Sequence, residues 1–406
     1  MRIKKLLLKV IVFTGIISIV VGGGINASAE SFFDLDYARY VSIPDISYGT
    51  NKNTTNIGGI AISENGSNQE MYVIKTNNNT EAITTLYYRP HINSAKNDYI
   101  TIKLTNIAGH GNSMTIGRDN IFITRWQSKR DGEKSDIVQI SRNAIRKIYI
   151  NAKKKKGFEN GQLAGEINAN NSAVTIINTI RCLNTAQFDK DYTTSSLSNT
   201  SYKSLLKKGY IKNYTGSISA ITKYTPHTNN SSANITNYLK GNNFIVKSNI
   251  TNEYYKARLL NIKGEKVLMV STDKSNTFYV ENNASKVFTS DEVTPQDIHY
   301  DPNKGFFVCQ WNNNVKIVKT DKVRYGVKNT ISYYNVDPFT KNSRIKPYQY
   351  YRVTGASSYS KFEIESLTFT TSKNSMLLSV NAEKKSGGMS DDQVIKITSN
   401  VSFKIQ

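Results

Sequence analysis

Apolar positions along this chain come in short runs. Tyr99-Ile100-Thr101-Ile102-Lys103-Leu104 alternates, and so does Thr277-Phe278-Tyr279-Val280-Glu281. Alternation with period two marks a half-buried strand. Clusters of Asn, Gly, Ser and Lys separate the runs, as turns require. Helical spacing is scarce, with Lys203–Lys208 and Gln162–Ile167 as the modest candidates. The pattern predicts an all-β chain.

The runs repeat. Asn112-Ser113-Met114-Thr115-Ile116 is followed by a polar turn, then Ile121-Phe122-Ile123-Thr124-Arg125-Trp126, then Asp136–Ile140. Gln296-Asp297-Ile298-His299-Tyr300 is followed by a turn, then Phe306-Phe307-Val308-Cys309-Gln310-Trp311, then Val315–Val318. The two tryptophans of the chain thus fall at one repeat position. Glu365–Phe369, Met376–Val380 and Val394–Ile397 form another copy, and Gly58–Ile62, Met71–Ile74 and Ala82–Leu86 a fourth. A weaker fifth runs through Ser217–Ala220, Phe244–Val246 and Tyr255–Leu260, while 143–212 stays unplaced. Each unit pairs an alternating first strand with a continuously apolar second one. A β-propeller blade needs that, because its middle strands are buried on both faces. First strands at Ile60, Met114, Ile218, Ile298 and Leu367 predict five blades; a blade over Lys266–Glu281 makes six. A β-sandwich also explains the strands, but not the matched Trp126 and Trp311.

The first 29 residues read as an export leader. Arg2, Lys4, Lys5 and Lys9 precede an apolar stretch, Val10–Val21, and Ala27-Ser28-Ala29 forms an A-x-A cleavage site. Cleavage after Ala29 leaves residues 30–406 as one propeller domain with long loop insertions, secreted to the exterior. The alternative, a membrane anchor, meets a short apolar core interrupted by Gly22-Gly23-Gly24.

Charge narrows the partners. The chain carries 53 Lys and Arg against 31 Asp and Glu; without the leader's four cations, 49 against 31 leaves +18. Such a surface attracts anionic polymers. Nucleic acid is not expected, since export and the lack of a basic helix argue against it. Lys153–Lys156 is either a solvated turn or an anchor on an anionic surface.

No H-E-x-x-H, G-x-S-x-G, P-loop or dinucleotide motif is present. His91, His110, His227 and His299 lack metal-ligand spacing, so neither a metal nor another cofactor is expected. Cys182 and Cys309 form either one bridge or two buried thiols.

The remaining candidate is the blade rim. Aligning the repeats places Gly58, Asn112, Gln296 and Glu365 just before the first strands, and Asn56, His110, Thr294 and Glu363 two residues earlier. Positions two apart share a strand face, so His110 joins Asn112, and Glu363 joins Glu365. The binding candidates are His110, Asn112, Arg125, Trp126, Gln296, Asp297 and Trp311. Glu363 and Glu365 are the catalytic candidates, because paired carboxylates can protonate a leaving group and activate water. The bland alternative is that these groups cap the axis and hold water.

Ala108-Gly109-His110, Phe362-Glu363-Ile364-Glu365-Ser366-Leu367-Thr368-Phe369 and Gln393–Ile397 resemble the helveticin J group. That group comprises exported antibacterial proteins of Gram-positive bacteria. The resemblance implies a bacteriocin acting on the envelope of other Gram-positive cells, with anionic wall polymers or glycans as partners. The other reading of the residues is a secreted propeller that binds or hydrolyses carbohydrate.

Overall fold

A computed structural model describes residues 32–406 except 49–52, 64–68, 78–82, 93–97, 126–135, 249–252, 281–292, 313–315, 320–321, 326–328, 341–343, 371–374 and 388–389. The described chain is mostly β, and its strands fall into five antiparallel units of four. Unit 1 is Asn56–Ile62, Met71–Thr76, Ile83–Arg89 and Ile100–Thr105. Unit 2 is Met114–Ile116, Asn120–Arg125, Asp136–Ser141 and Val174–Cys182. Unit 3 is Ile218–Lys223, Asn243–Ser248, Glu253–Ile262 and Glu265–Ser271. Unit 4 is Val293–Asp301, Gly305–Asn312, Asn329–Tyr334 and Gln349–Arg352. Unit 5 is Tyr359–Phe369, Met376–Lys384 and Gln393–Ile397, completed by Tyr37–Ser42 from the other end of the chain.

The first strands pack against one another in a closed circle, unit 1 on 2, 2 on 3, 3 on 4, 4 on 5 and 5 on 1. Apolar faces of neighbouring units form the core between them. Phe307, Cys309 and Ile331 of unit 4, for example, pack on Ile364, Leu378 and Val380 of unit 5. The outer strands of units 2 and 3 pair in parallel, Asn178 opposite Val267, which joins two units into one sheet. Phe32–Asp34 adds in parallel to the outer strand of unit 4.

Three expectations change. Gln162–Ile167 is not helical: Leu163–Asn168 is a strand lying parallel on unit 1. The third strand of unit 4 is Asn329–Tyr334, because Lys316–Lys319 pairs with Lys322–Tyr325 in an inserted hairpin. Lys266–Glu281 starts no further unit, since Glu265–Ser271 closes unit 3 and Thr277–Val280 pairs with its third strand. Helix α1, Arg142–Lys153, fills part of the unplaced stretch. Its Ile145 and Ala152 reach the core while Lys147 stays exposed, and the Ser141 hydroxyl caps its start by accepting from Ala144 N. Three short helices, Thr185–Asp191, Thr194–Leu197 and Tyr202–Lys207, enclose a small core around Phe188 and Leu205.

First strands share an irregularity. Register slips between Ile57 and Ile60, between Ile218 and Ala220, between Pro295 and Asp297, and between Ile364 and Ser366. A β-bulge inserts an unpaired residue, bends the strand and re-aims the next side chain. The extra residues include Ser219, Gln296 and Glu365. Unit 2 makes the corresponding bend just ahead of its strand, with Gly109 at φ 54° and Gly111 at φ 60°. A Cβ on Gly59 would lie 2.9 Å from Met114 Cβ, so units 1 and 2 approach closer than a side chain permits.

Candidate functional site

At Asp297 and Ser366, the residues after the bulges of units 4 and 5, the units bond to one another. Asp297 of unit 4 is 1% exposed. Ser113 of unit 2 donates its hydroxyl to Asp297 Oδ1 at 2.5 Å, and Ser366 of unit 5 donates to Oδ2. Ser113 Oγ accepts from Ile221 N of unit 3 at 2.9 Å, and Ser366 Oγ accepts from Ile60 N of unit 1 at 3.1 Å. One connected set thus spans all five units around a single carboxylate. Burial pushes that carboxyl up to about 7, opposed by the two serine hydroxyls and the backbone N–H groups of Ile298 and Leu367. Asp297 was expected at the binding rim; it is enclosed below it and fully engaged.

The other rim candidates are less enclosed. Asn112, Gln296 and Glu365 are half-buried beside the bulges, and His110 is half-buried between the two positive-φ glycines. Its turn is held by Thr76 and Thr84 of unit 1, whose hydroxyls donate to Gly109 O at 3.2 and 2.9 Å. Arg125 ends the second strand of unit 2 and donates from Nη2 to Asn106 O at 3.2 Å, a turn contact rather than a rim contact. The backbone of Trp311 pairs with Thr294 and Asn329. Trp126 lies outside the described residues. Cys182 and Cys309 are both free and buried, so the bridge is not formed.

The structure brings Glu363 and Glu365 together. Phe362 and Ile364 enter the unit 4–unit 5 core, so Lys361 and Glu363 turn onto the opposite face, and Glu365, the bulge residue, feels the charge of Glu363. Lys361 Nζ pairs with Glu363 Oε2 at 3.1 Å. Asn381 turns its amide oxygen to Lys361 Nζ at 3.0 Å and its nitrogen to Asp392 Oδ1 at 3.3 Å. Asp392 pairs with the buried Lys75 of unit 1 at 3.0 Å, and Lys75 also reaches Asp45. Burial pushes Glu365 up to about 8, reinforced by the nearby charge of Glu363. Burial also raises Asp392, to about 6, against the pull of Lys75. Cys309 lies close behind; burial first, then the charges of Asp297 and Glu365, raise its thiol.

Sequence reading missed Lys361, Asn381, Asp392 and Lys75. A lysine two residues before Glu363 was a usable signal, because it falls on the same strand face. It also missed Glu70, buried between units 1 and 2. Glu70 accepts from Tyr72 OH at 2.8 Å, Tyr88 OH at 2.7 Å, Arg142 at 2.5 Å and Arg146 at 2.6 Å. Burial opposes its ionisation, but these donors prevail and hold it at about 2. All its lone pairs are engaged, so it fastens α1 to unit 1.

No family model matches the chain, and no curated protein matches it in sequence. Solved structures show distant likeness to proteins of several kinds. A tail fibre of a Staphylococcus aureus phage aligns at TM-score 0.40 and 11% identity over 91% of this chain; the chain spans about half (53%) of the fibre. A parainfluenza virus 5 hemagglutinin-neuraminidase aligns at TM-score 0.34 and 8% identity, covering 95% of this chain and 100% of that one. A Bacteroides uniformis protein described as a 6-phosphogluconolactonase aligns at TM-score 0.33 and 7% identity, covering 86% and 85%.

Proposed function

We propose that the chain is an exported five-bladed β-propeller of helveticin J-like type that acts on the envelope of other Gram-positive bacteria. One observation carries the reading: positive charge is concentrated outside the five units. The two insertions, 142–168 and 183–213, hold twelve Lys and Arg against four Asp and Glu. Lys154, Lys155, Lys156, Lys203, Lys207 and Lys208 are exposed there. The strand framework does not need these cations, and they suit the phosphates of anionic wall polymers. Attraction of this kind acts over about 10 Å at 0.1 M salt.

A second reading, carbohydrate cleavage at the rim, is favoured by the unlike surroundings of Glu363 and Glu365. A carboxyl pushed up by burial beside one paired with a lysine suits the acid and base roles of glycoside hydrolysis. One experiment separates the two. Purified protein is incubated with Gram-positive cells and, separately, with wall polymers and neutral glycans. Salt-sensitive binding with lysis supports the first reading; released reducing sugar supports the second. Absence of both lysis and binding at low salt would count against the envelope reading.

A further inference from the structure

We propose that Lys361 is a positioning residue that holds Glu363 as the carboxylate of the rim pair and leaves Glu365 to carry the pair's proton. The inference rests on the cleavage reading for its chemistry and on contacts for its geometry. The side chains of Lys361 and Glu363 share one strand face, the ammonium is 3.1 Å from Glu363, and Glu365 sits at the bulge next along the strand, within reach of the Glu363 charge. The lysine is itself fixed by Asn381, whose amide oxygen accepts from it at 3.0 Å. Asn381 is held by Asp392, and Asp392 by Lys75 across the unit 5–unit 1 boundary. A cation placed on one of two neighbouring carboxylates breaks their equivalence, and the proton goes to the other.

The neighbours of Glu365 act in both directions. On its own strand Glu365 feels the charges of Glu363 and Lys361, and from the segment closing unit 5 that of Asp392; the Cys309 thiol of unit 4 feels both Glu365 and Asp297. Burial first, then the neighbouring charge of Glu363, favours the uncharged acid at Glu365, against the opposing pull of Lys361 and a hydrogen bond with Asn381.

The reaction balances. Glu365 gives its proton to the glycosidic oxygen as the anomeric C–O bond breaks. Water adds to the anomeric carbon and loses a proton to Glu363. Solvent then returns Glu365 to the acid and Glu363 to the carboxylate. Lys361 touches no reacting atom and acts by keeping Glu363 ready to accept.

The test is an NMR titration of the folded full-length protein labelled at glutamate carboxyl carbons, with Glu363→Gln and Glu365→Gln used for assignment. Expected is one rim glutamate titrating well above the ordinary value of about 4.3, assigned to Glu365. In Lys361→Met the lower step of the pair moves up by about one pH unit or more, and Lys361→Arg restores it. Any cleavage activity should show the same shift in the acid limb of its pH profile. Two ordinary titrations, or a Lys361→Met pair that titrates like the parent, would overturn the assignment. Release of sugar with an unmoved titration removes the role of Lys361 but leaves cleavage standing. The expected titration with no glycan cleaved leaves the proton assignment standing and removes the cleavage reading.

Discussion

Ser366 donates its hydroxyl to Asp297 across the boundary between units 5 and 4. Ser113 does the same from unit 2, so the carboxylate faces donors alone. Its role is to hold the first strands at fixed spacing. That spacing closes the axis and leaves the bulge residues above it as the rim.

Asp297→Asn should therefore be costly despite its equal size. The amide brings two N–H groups into a ring of donors, leaving about 1–3 kcal/mol of unmet hydrogen bonding. A lower melting temperature with unchanged cell binding is expected. Loss of binding at unchanged stability would instead return Asp297 to the rim.

Stability should fall as pH rises from about 4 to 8. Asp297, Glu365 and Asp392 have folded values of about 7, 8 and 6, all above their ordinary carboxyl range. The folded state then binds more protons than the unfolded one, and the loss is at most about 1.4 kcal/mol per pH unit for each group. Glu70, lowered to about 2, acts in the opposite sense and its contribution fades below about pH 4.5. Melting curves from pH 3 to pH 9 should peak near about pH 4. A maximum above pH 8 would contradict these assignments.

Glu363→Gln with Glu365→Gln should lower rim activity at least about tenfold, or 1.4 kcal/mol, with melting temperature kept or raised. Full activity in the double variant removes both glutamates from the site and favours the lysine-rich insertions.

Glu70→Gln should cost about 3–5 kcal/mol, because buried Arg142 loses its counter-ion while Arg146 turns to solvent. Protease cutting within α1 is the readout. A variant as stable as the parent would mean α1 is held by its apolar face alone.

Ser substitution of Lys154, Lys155 and Lys156 together should reduce cell binding at low salt and flatten its salt dependence. These residues are exposed, so melting temperature should stay put.

The first strands were legible because burial on a closed circle imposes a repeating pattern. Ile60, Met114, Ile218, Ile298 and Leu367 all fall in them. The bulges were half-legible. The alignment marked Gly58, Gln296 and Glu365, but a slipped register has no period, so the inward aim of Asp297 was unreadable. Helix α1 carried a signal at Ile145, Ile148, Tyr149 and Ala152, with helical spacing, obscured by the lysine run after it. The inserted hairpin at Lys316–Tyr325 mimicked a third strand because its sequence alternates like one. The contacts of Lys361 with Asn381, and of Asp392 with Lys75, join residues far apart in the chain, where local pattern holds no information.

Tyr37–Ser42 supplies the outer strand of unit 5, and Gln393–Ile397 supplies its neighbour. A strand made early therefore waits for one made late in the described chain. Until the C-terminal strands leave the ribosome the circle has an open seam and unit 5 has an unpaired edge. Long-range pairing of this kind is slow, and a pull on either of these two strands bears on the same seam.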